Sequence, residues 1–390
     1  MSQSVCVIGA GLVGAASAAA LAARGLRVTV VAADLLGTDT SSASLSWLNA
    51  VQKMPLPYME MNLAGMRLHA AYAARHDRAP WYHRGGNISI AATAAEAEKH
   101  ESIFKELALT GYSGGWISQA RLAELEPDFD LAALCDAQVA FFPDEAWING
   151  APLIGRLLAD ARAEGAQVIA PVRVEGFEMA GERIAAVQLD DGSRLTVDTV
   201  VNCAGGRAGA IAAQAGCSLP LKNEIGAQAY THPAAVTLSR VIHSTALNIR
   251  PDGAGRICIH DYLTDDLLEI RPGLEERAET EAAAWMLSPR HAQGLLDRLA
   301  IFYPATRGLP IEALRLGMRP IPIDRLPVMG FFDACPNLYA AVMHSGATQA
   351  LWAGELVARE VAETREAAEL ATFRPARFAK ARGLTSYDGR

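Results

Sequence analysis

The chain opens on a short apolar run, SVCVI at residues 4–8, followed by closely spaced glycines and an alanine-rich stretch. A run of that length bounded by turn residues predicts a buried strand, and the stretch at 12–24 predicts a helix that Gly25 stops. The branched segment at 26–32 predicts a second strand, so the start reads as a βαβ unit. A polar run at 37–46, rich in Thr, Asp and Ser, reads as a loop. Helical periodicity covers 57–75. Gly85 and Gly86 lead into an alternating strand at Asn87, Ile88, Ser89 and Ile90, and residues 94–126 read as helical again.

A second αβ passage follows, with a helix at 149–164, strands at 167–170 and 172–178, and a hairpin turning at Asp190, Asp191 and Gly192. Residues 199–202 form an apolar strand that runs into a corner of small residues, Cys203 to Gly206. From 221 to 316 the pattern is mostly extended, with strands expected at 227–232, 241–250 and 256–262 and a helix at 275–300. The end returns to α/β character, with a strand at 338–343, a turn at 344–346 and a helix at 347–363.

With 390 residues, 51% apolar and 20% charged, the chain can bury a large core. A formal net charge of −8 argues against nucleic acid or an anionic membrane as partner and favours a small molecule. Six cysteines lack C-x-x-C pairing or zinc-ligand spacing, so no metal site is expected. Residues 5–23 are apolar enough to imitate a leader or span, yet they lack a basic flank and carry glycines at a meaningful spacing. No transmembrane span is expected, and the expected location is cytoplasmic.

Those glycines are Gly9, Gly11 and Gly14, a G-x-G-x-x-G motif placed after a strand and opening a helix, with Leu12 and Val13 inside it. In that context Gly9 permits the tight turn, Gly11 lets a pyrophosphate approach the backbone, and Gly14 allows close packing of helix on sheet. The helix N-terminus attracts the negative charge. The acid that ordinarily ends the second strand and holds the ribose is absent: its place falls at Ala32, followed by Ala33, and Asp34 is the nearest acid. Either Asp34 reaches back or the 37–46 loop holds the ribose.

Further segments carry a resemblance that spans nearly the whole chain. They are residues 7–14, TSSASLSWLN at 40–49, residues 165–174, VVNCAG at 200–205, GMRPIPIDRLPVMG at 317–330 and NLYAAVMHSGAT at 337–348. Together they resemble the D-amino-acid oxidase superfamily of flavoproteins, which includes glycine oxidase and sarcosine oxidase. The resemblance implies FAD, and because Met343 and His344 occupy the approach to the C-terminal turn while Cys335 lies earlier, noncovalent FAD is expected. The resemblance implies an α/β fold in which a Rossmann-like FAD-binding domain (1–80, 146–220 and 317–372) is interleaved with a mixed, mainly antiparallel α+β substrate domain (81–145 and 221–316), residues 373–390 forming a peripheral tail. It places Thr40, Ser41, Ser42, Ser44 and Trp47 along pyrophosphate and flavin, Val174 at the adenine, and Cys203, Ala204 and Gly205 close to the cofactor. His344, Gly346, Ala347, Thr348 and Gln349 come to the pyrimidine end of the flavin, where a helix N-terminus suits the charge of the reduced ring.

By the same resemblance Arg319, in a G-x-R-P motif, clamps a substrate carboxylate, for which a guanidinium fork is suited. The alternative is a structural arginine paired with an acid such as Asp324. A symmetric hairpin about Asp252 and Gly253 places Ser244, Asn248, Cys258 and His260 on one face and His243, Thr245, Leu247, Ile249, Ile257 and Ile259 on the other. Asn248 and His260 are therefore candidate substrate contacts, with Tyr230 and Tyr262 as further pocket tyrosines. The activity implied is oxidation of the C–N bond of an amino acid or carboxylated secondary amine, with hydride passing to flavin N5 and oxygen as acceptor. A dehydrogenase serving a quinone or protein acceptor, or a noncatalytic flavin-binding subunit, are the alternatives. The oligomeric state is not set by these features.

Overall fold

A computed structural model describes residues 2–34, 40–261 and 289–379 of the chain. Ser4–Ile8 and Arg27–Val31 are parallel strands, with Val5 opposite Val28, and Leu12–Ala22 is the helix between them. They sit in a six-stranded sheet ordered Val328–Phe332, Cys335–Val342, Thr199–Asn202, Ser4–Ile8, Arg27–Val31 and Gln167–Ile169. Every pairing is parallel except at the edge, where Val328–Phe332 runs antiparallel to its neighbour. A parallel sheet covered on both faces explains the opening run without polar alternation. Val5 and Val7 enter the core built with helices Leu12–Ala22, Gly150–Ala163 and Gly346–Glu363, while Cys6 and Ile8 enter a second core on the opposite face.

An eight-stranded sheet is ordered Ile311–Pro322, Leu221–Thr231, Ile257–His260, Asn248–Pro251, Val241–His243, Asn87–Ala91, Gln138–Phe142 and Gly115–Ile117. Its pairings are antiparallel except where Val241–His243 lies parallel to Asn87–Ala91. Ile242, Ile249, Ile257 and Ile259 pack on one face against Leu295 and Leu299 of helix Pro289–Phe302. Because side chains alternate along a strand, the residues between them turn to the other face. A short sheet of Trp47–Leu48, Ala146–Ile148 and Tyr82–Arg84 stands beside these.

Four expectations change. The helix read over 94–126 is broken: Thr93 and Glu96 form a capping box that starts Ala94–Ala108, strand Gly115–Ile117 intervenes, and Ser118 caps Gln119–Leu125. The strand read over 241–250 is two strands, because Ser244 and Leu247 bond each other through both the Ser244 hydroxyl and backbone and make a turn. Residues 373–379 are packed, with Phe373 and Phe378 buried and Arg374 joined to Glu360. Ile311–Pro322 is one long strand where only a generally extended pattern was read, since Gly317 and Pro320 inside it disguise it. Tyr262 and the 275–288 part of the expected helix lie outside the described residues, as do 37–39 of the polar loop. No described helix is long and apolar enough to cross a membrane.

Candidate active site

The site begins where the first strand ends. The Gly9 N–H donates to Val31 O at 2.8 Å, and its φ of 102° lies in the region that side chains avoid. A Cβ on Gly9 would lie 2.5 Å from Cys203 O, and one on Gly14 would lie 1.9 Å from Gly9 O. Both positions demand glycine, and together they bring the turn, the helix and the 199–203 corner into contact. Gly11 caps the helix without a side chain, so the first-turn N–H groups face outward, and the Leu12 N–H donates to Ser41 Oγ at 3.2 Å.

A cavity of about 220 Å3 opens at this corner. Gly9, Gly11, Ala32, Ala33 and Asp34 line it from the βαβ unit, Thr40 and Ser41 from the loop. Val174, Cys203, Ala204 and Gly205 close the far side. Leu12, Val13 and Gly14 do not line it: Leu12 is buried, Gly14 meets the backbone of Gly9, and Val13 packs beside Gly346. Asp34 stands between Arg207 at 3.2 Å and Arg173 at 3.9 Å, and both arginines also line the cavity. The residue nearest the missing ribose acid is thus held in an ion-pair cluster at the rim.

Thr40 lines this cavity and a second, larger one of about 920 Å3. The Thr40 hydroxyl donates to Met318 O at 2.7 Å, which ties the loop to strand Ile311–Pro322. Ser44 and Trp47 line the larger cavity from the loop, and His344, Ala347 and Thr348 line it from the start of helix Gly346–Glu363. Ser42 faces elsewhere, its carbonyl accepting from the Tyr230 hydroxyl at 3.0 Å, so Tyr230 braces the loop. Gly346 and Gln349 also miss the cavity. Gln349 is fully buried one position beyond Thr348, where the helical step turns its side chain away.

Arg319, Asn248 and His260 are brought together in the larger cavity. Asn248 stands opposite His260 in the hairpin register, with Nδ2 to Nδ1 at 3.2 Å. Arg319 donates from Nη2 to Ile225 O at 3.3 Å, lies 3.9 Å from Glu224, and passes over Gly226, where a Cβ would come within 3.1 Å of its Nε. Its ionic neighbour is Glu224 and not Asp324, which instead receives two bonds from Arg377 at 2.7 and 3.1 Å. Cys258 faces Arg250 across the hairpin, and Arg250 is anchored on Leu45 O at 2.7 Å.

His243 also lines this cavity, contrary to the face expected for it. Counting a continuous strand through 244–247 inverts its side, whereas the turn there places it opposite Asn248. Its Nδ1 lies 2.7 Å from Asn87 Oδ1, and its ring centroid lies 4.0 Å from that of Trp47 with the planes tilted by 43°. Burial, then the neighbouring His260, pushes it down to about 3, so it is neutral. His344 is pushed down to about 4 by burial, and then by the charges of Lys53, Arg319 and Arg325. Behind Trp47, the buried Glu145 accepts from the Trp47 indole and the Tyr112 hydroxyl. Burial pushes it up to about 8 against those two bonds and against Lys53. Lys53, Glu224 and Glu145 escaped sequence reasoning because no local motif marks them, and Arg325 because the 317–330 motif singles out Arg319 and not its turn.

A glycine-turn cavity that shares Thr40 with a larger one ending at a helix N-terminus has the form of a dinucleotide-binding site with a ligand cavity beside it. The family model described as DAO, FAD dependent oxidoreductase, matches residues 4–360, and the chain belongs to this family. It is similar to glycine oxidase of Geobacillus kaustophilus, at 25% identity over 383 residues, 95% of each chain. The crystal structure of glycine oxidase from Geobacillus kaustophilus superposes with a TM-score of 0.80 at 22% identity, covering 100% of both chains. L-proline dehydrogenase from P. horikoshii has the same fold, with a TM-score of 0.80 at 18% identity over 97% of this chain and 98% of that one. The protein is accordingly an FAD-dependent oxidoreductase. The residues fit that cofactor: the glycine cradle admits no Cβ, and one loop residue, Thr40, lines both cavities.

Proposed function

We propose that the protein oxidises the C–N bond of an amino acid or carboxylated secondary amine, with oxygen as acceptor. The observation that carries this reading is the convergence of Arg319 with the Asn248–His260 pair in the cavity that ends at the N-terminus of helix Gly346–Glu363. Relatives named for glycine and L-proline support it.

The pyrophosphate belongs at Gly9, Gly11 and the helix that starts at Leu12, with Thr40 and Ser41 covering it and Val174 beside the adenine. The flavin belongs in the larger cavity, between the wall carrying Ser44 and Trp47 and the turn at His344, Ala347 and Thr348. Held there, FAD would supply the two-electron acceptor for a hydride from the carbon bearing the amine, the imine product being hydrolysed by water and the electron pair passing on to oxygen to give hydrogen peroxide. Arg319 holds the substrate carboxylate through its fork. Asn248 and His260 contact the amine or side chain and fix which hydrogen faces the flavin. The N-terminus of helix Gly346–Glu363 stabilises negative charge developing at the pyrimidine end. His344, kept neutral by burial and then by its cationic neighbours, adds no further positive charge that would repel a protonated amine on entry. Cys335 is fully buried, so we take FAD to be bound noncovalently, and acid precipitation should release all the yellow colour.

The test is anaerobic bleaching of the flavin band across a panel of amino acids and N-alkylated amino acids. At least one should bleach it, and the same compound should yield peroxide under air. Bleaching without peroxide, with turnover restored by a quinone, would replace oxygen by another acceptor. Bleaching by no amine overturns the reading.

A further inference from the structure

Among the described residues, the charges that line the larger cavity do not balance. Lys53, Lys222, Arg319 and Arg325 line it against Glu224 and Asp324. Glu224 lies 3.5 Å from Lys222 and 3.9 Å from Arg319. Asp324 is taken by the two-pronged bond from Arg377, which is not part of the lining. Lys53 and Arg325 form no ion pair with a described residue. The acid that acts on Lys53 is Glu145, which stands behind Trp47, already accepts two hydrogen bonds and is displaced by burial toward its protonated form. This excess lies inside a protein whose net charge is −8, so it is a local feature and not a reflection of composition.

Two further facts point to an anionic occupant. Lys53, Arg319 and Arg325 line the cavity together with His344, and the charge of each reaches that imidazole. Arg325 also holds φ 63° in the turn after strand Ile311–Pro322, a conformation that glycine or asparagine adopts with less strain. A large cation is kept where the backbone would prefer another residue. The phosphates of FAD do not answer this excess, because they belong at the glycine turn in the smaller cavity.

We infer that the larger cavity takes an amine bearing two carboxylates. Arg319 holds the carboxylate beside the C–N bond, and the half-buried Lys53 with the exposed Arg325 at the rim holds the second. This rests on the reading of the cavity as the place of amine oxidation.

The test uses the holoenzyme and two series of unreactive probes, malonate to glutarate and acetate to butyrate, titrated by perturbation of the flavin spectrum. The best dicarboxylate should bind at least about tenfold tighter than the best monocarboxylate, with a steeper loss as salt rises. In Arg325→Gly and Lys53→Met that ratio should fall by about fivefold or more, consistent with loss of a charge-assisted contact. Arg325→Gly relieves the backbone, so its melting temperature should hold or rise, which separates lost affinity from lost folding. Equal binding of the two series, or a preference that survives both substitutions, overturns the inference. If amines still bleach the flavin in that case, the oxidation reading stands alone. If no amine bleaches it, that reading fails and the inference fails with it.

Discussion

The smaller cavity is shaped at its glycine turn by backbone, and the larger is shaped by side chains. Around Gly9 and Gly14 the shape is set by atoms that every residue carries, and the chemistry lies in what is missing, a Cβ that would collide with Cys203 O or Gly9 O. Around Arg319 the shape is set by residues from the loop after the second strand, the hairpin face, the long strand and the start of the last helix. The first kind of site tolerates no addition. The second tolerates change and is where relatives can diverge in substrate while the cofactor end stays the same.

That contrast is broken most severely by Gly14→Val. A side chain there meets Gly9 O at a Cβ distance of 1.9 Å, so helix and turn must separate. The expected loss in FAD affinity is more than about 100-fold, equivalent to roughly 3 kcal/mol, read as the ratio of flavin to protein absorbance after dialysis. Retention of full flavin content would mean that the turn is not the cofactor cradle.

A middle-sized effect is expected behind the larger cavity, at Glu145. Burial raises its folded value from 4.5 to about 8. A carboxyl raised in this way contributes its stability in full below 4.5 and loses it as pH rises toward 8, because the unfolded chain ionises first. Glu145→Gln does not titrate, so its melting temperature should gain on the wild type steadily across that window. A difference that stays constant with pH would show that Glu145 is ionised throughout.

The smallest effect belongs to Asp34→Ala. Asp34 is partly exposed and shared between Arg207 and Arg173, and exposed ion pairs contribute at most about 1 kcal/mol. FAD affinity should change by no more than about fivefold. A loss as large as that of Gly14→Val would make Asp34 the ribose-holding acid displaced along the chain.

The same contrast explains what could be seen in the sequence. Gly9, Gly11 and Gly14 lie within six positions, after an apolar run and before a helical one, so the local pattern carries both the motif and its context. His243 was placed on the wrong face because a two-residue alternation does not survive a turn, and the Ser244–Leu247 bonds are visible only in three dimensions. Lys53 and Glu145 lie in segments with no periodic or motif signal, Arg325 lies in the 317–330 motif but at no position the motif singles out, and only the folded chain brings Lys53 and Arg325 to the cavity of Arg319 and His344. Arg319 could be named early because its motif is local, but its pairing with Glu224 and not Asp324 required the long register between Leu221–Thr231 and Ile311–Pro322.

Arg319 is proposed as the group that holds the substrate carboxylate. The direct measurement is anaerobic reduction of the flavin in wild type and Arg319→Ala by the same amino acid, followed as a function of its concentration. Losing a charge-assisted fork costs roughly 3 kcal/mol, so half-reduction rate should require about 100-fold more substrate in the variant, with FAD content unchanged. Equal concentration dependence in the two proteins would contradict it.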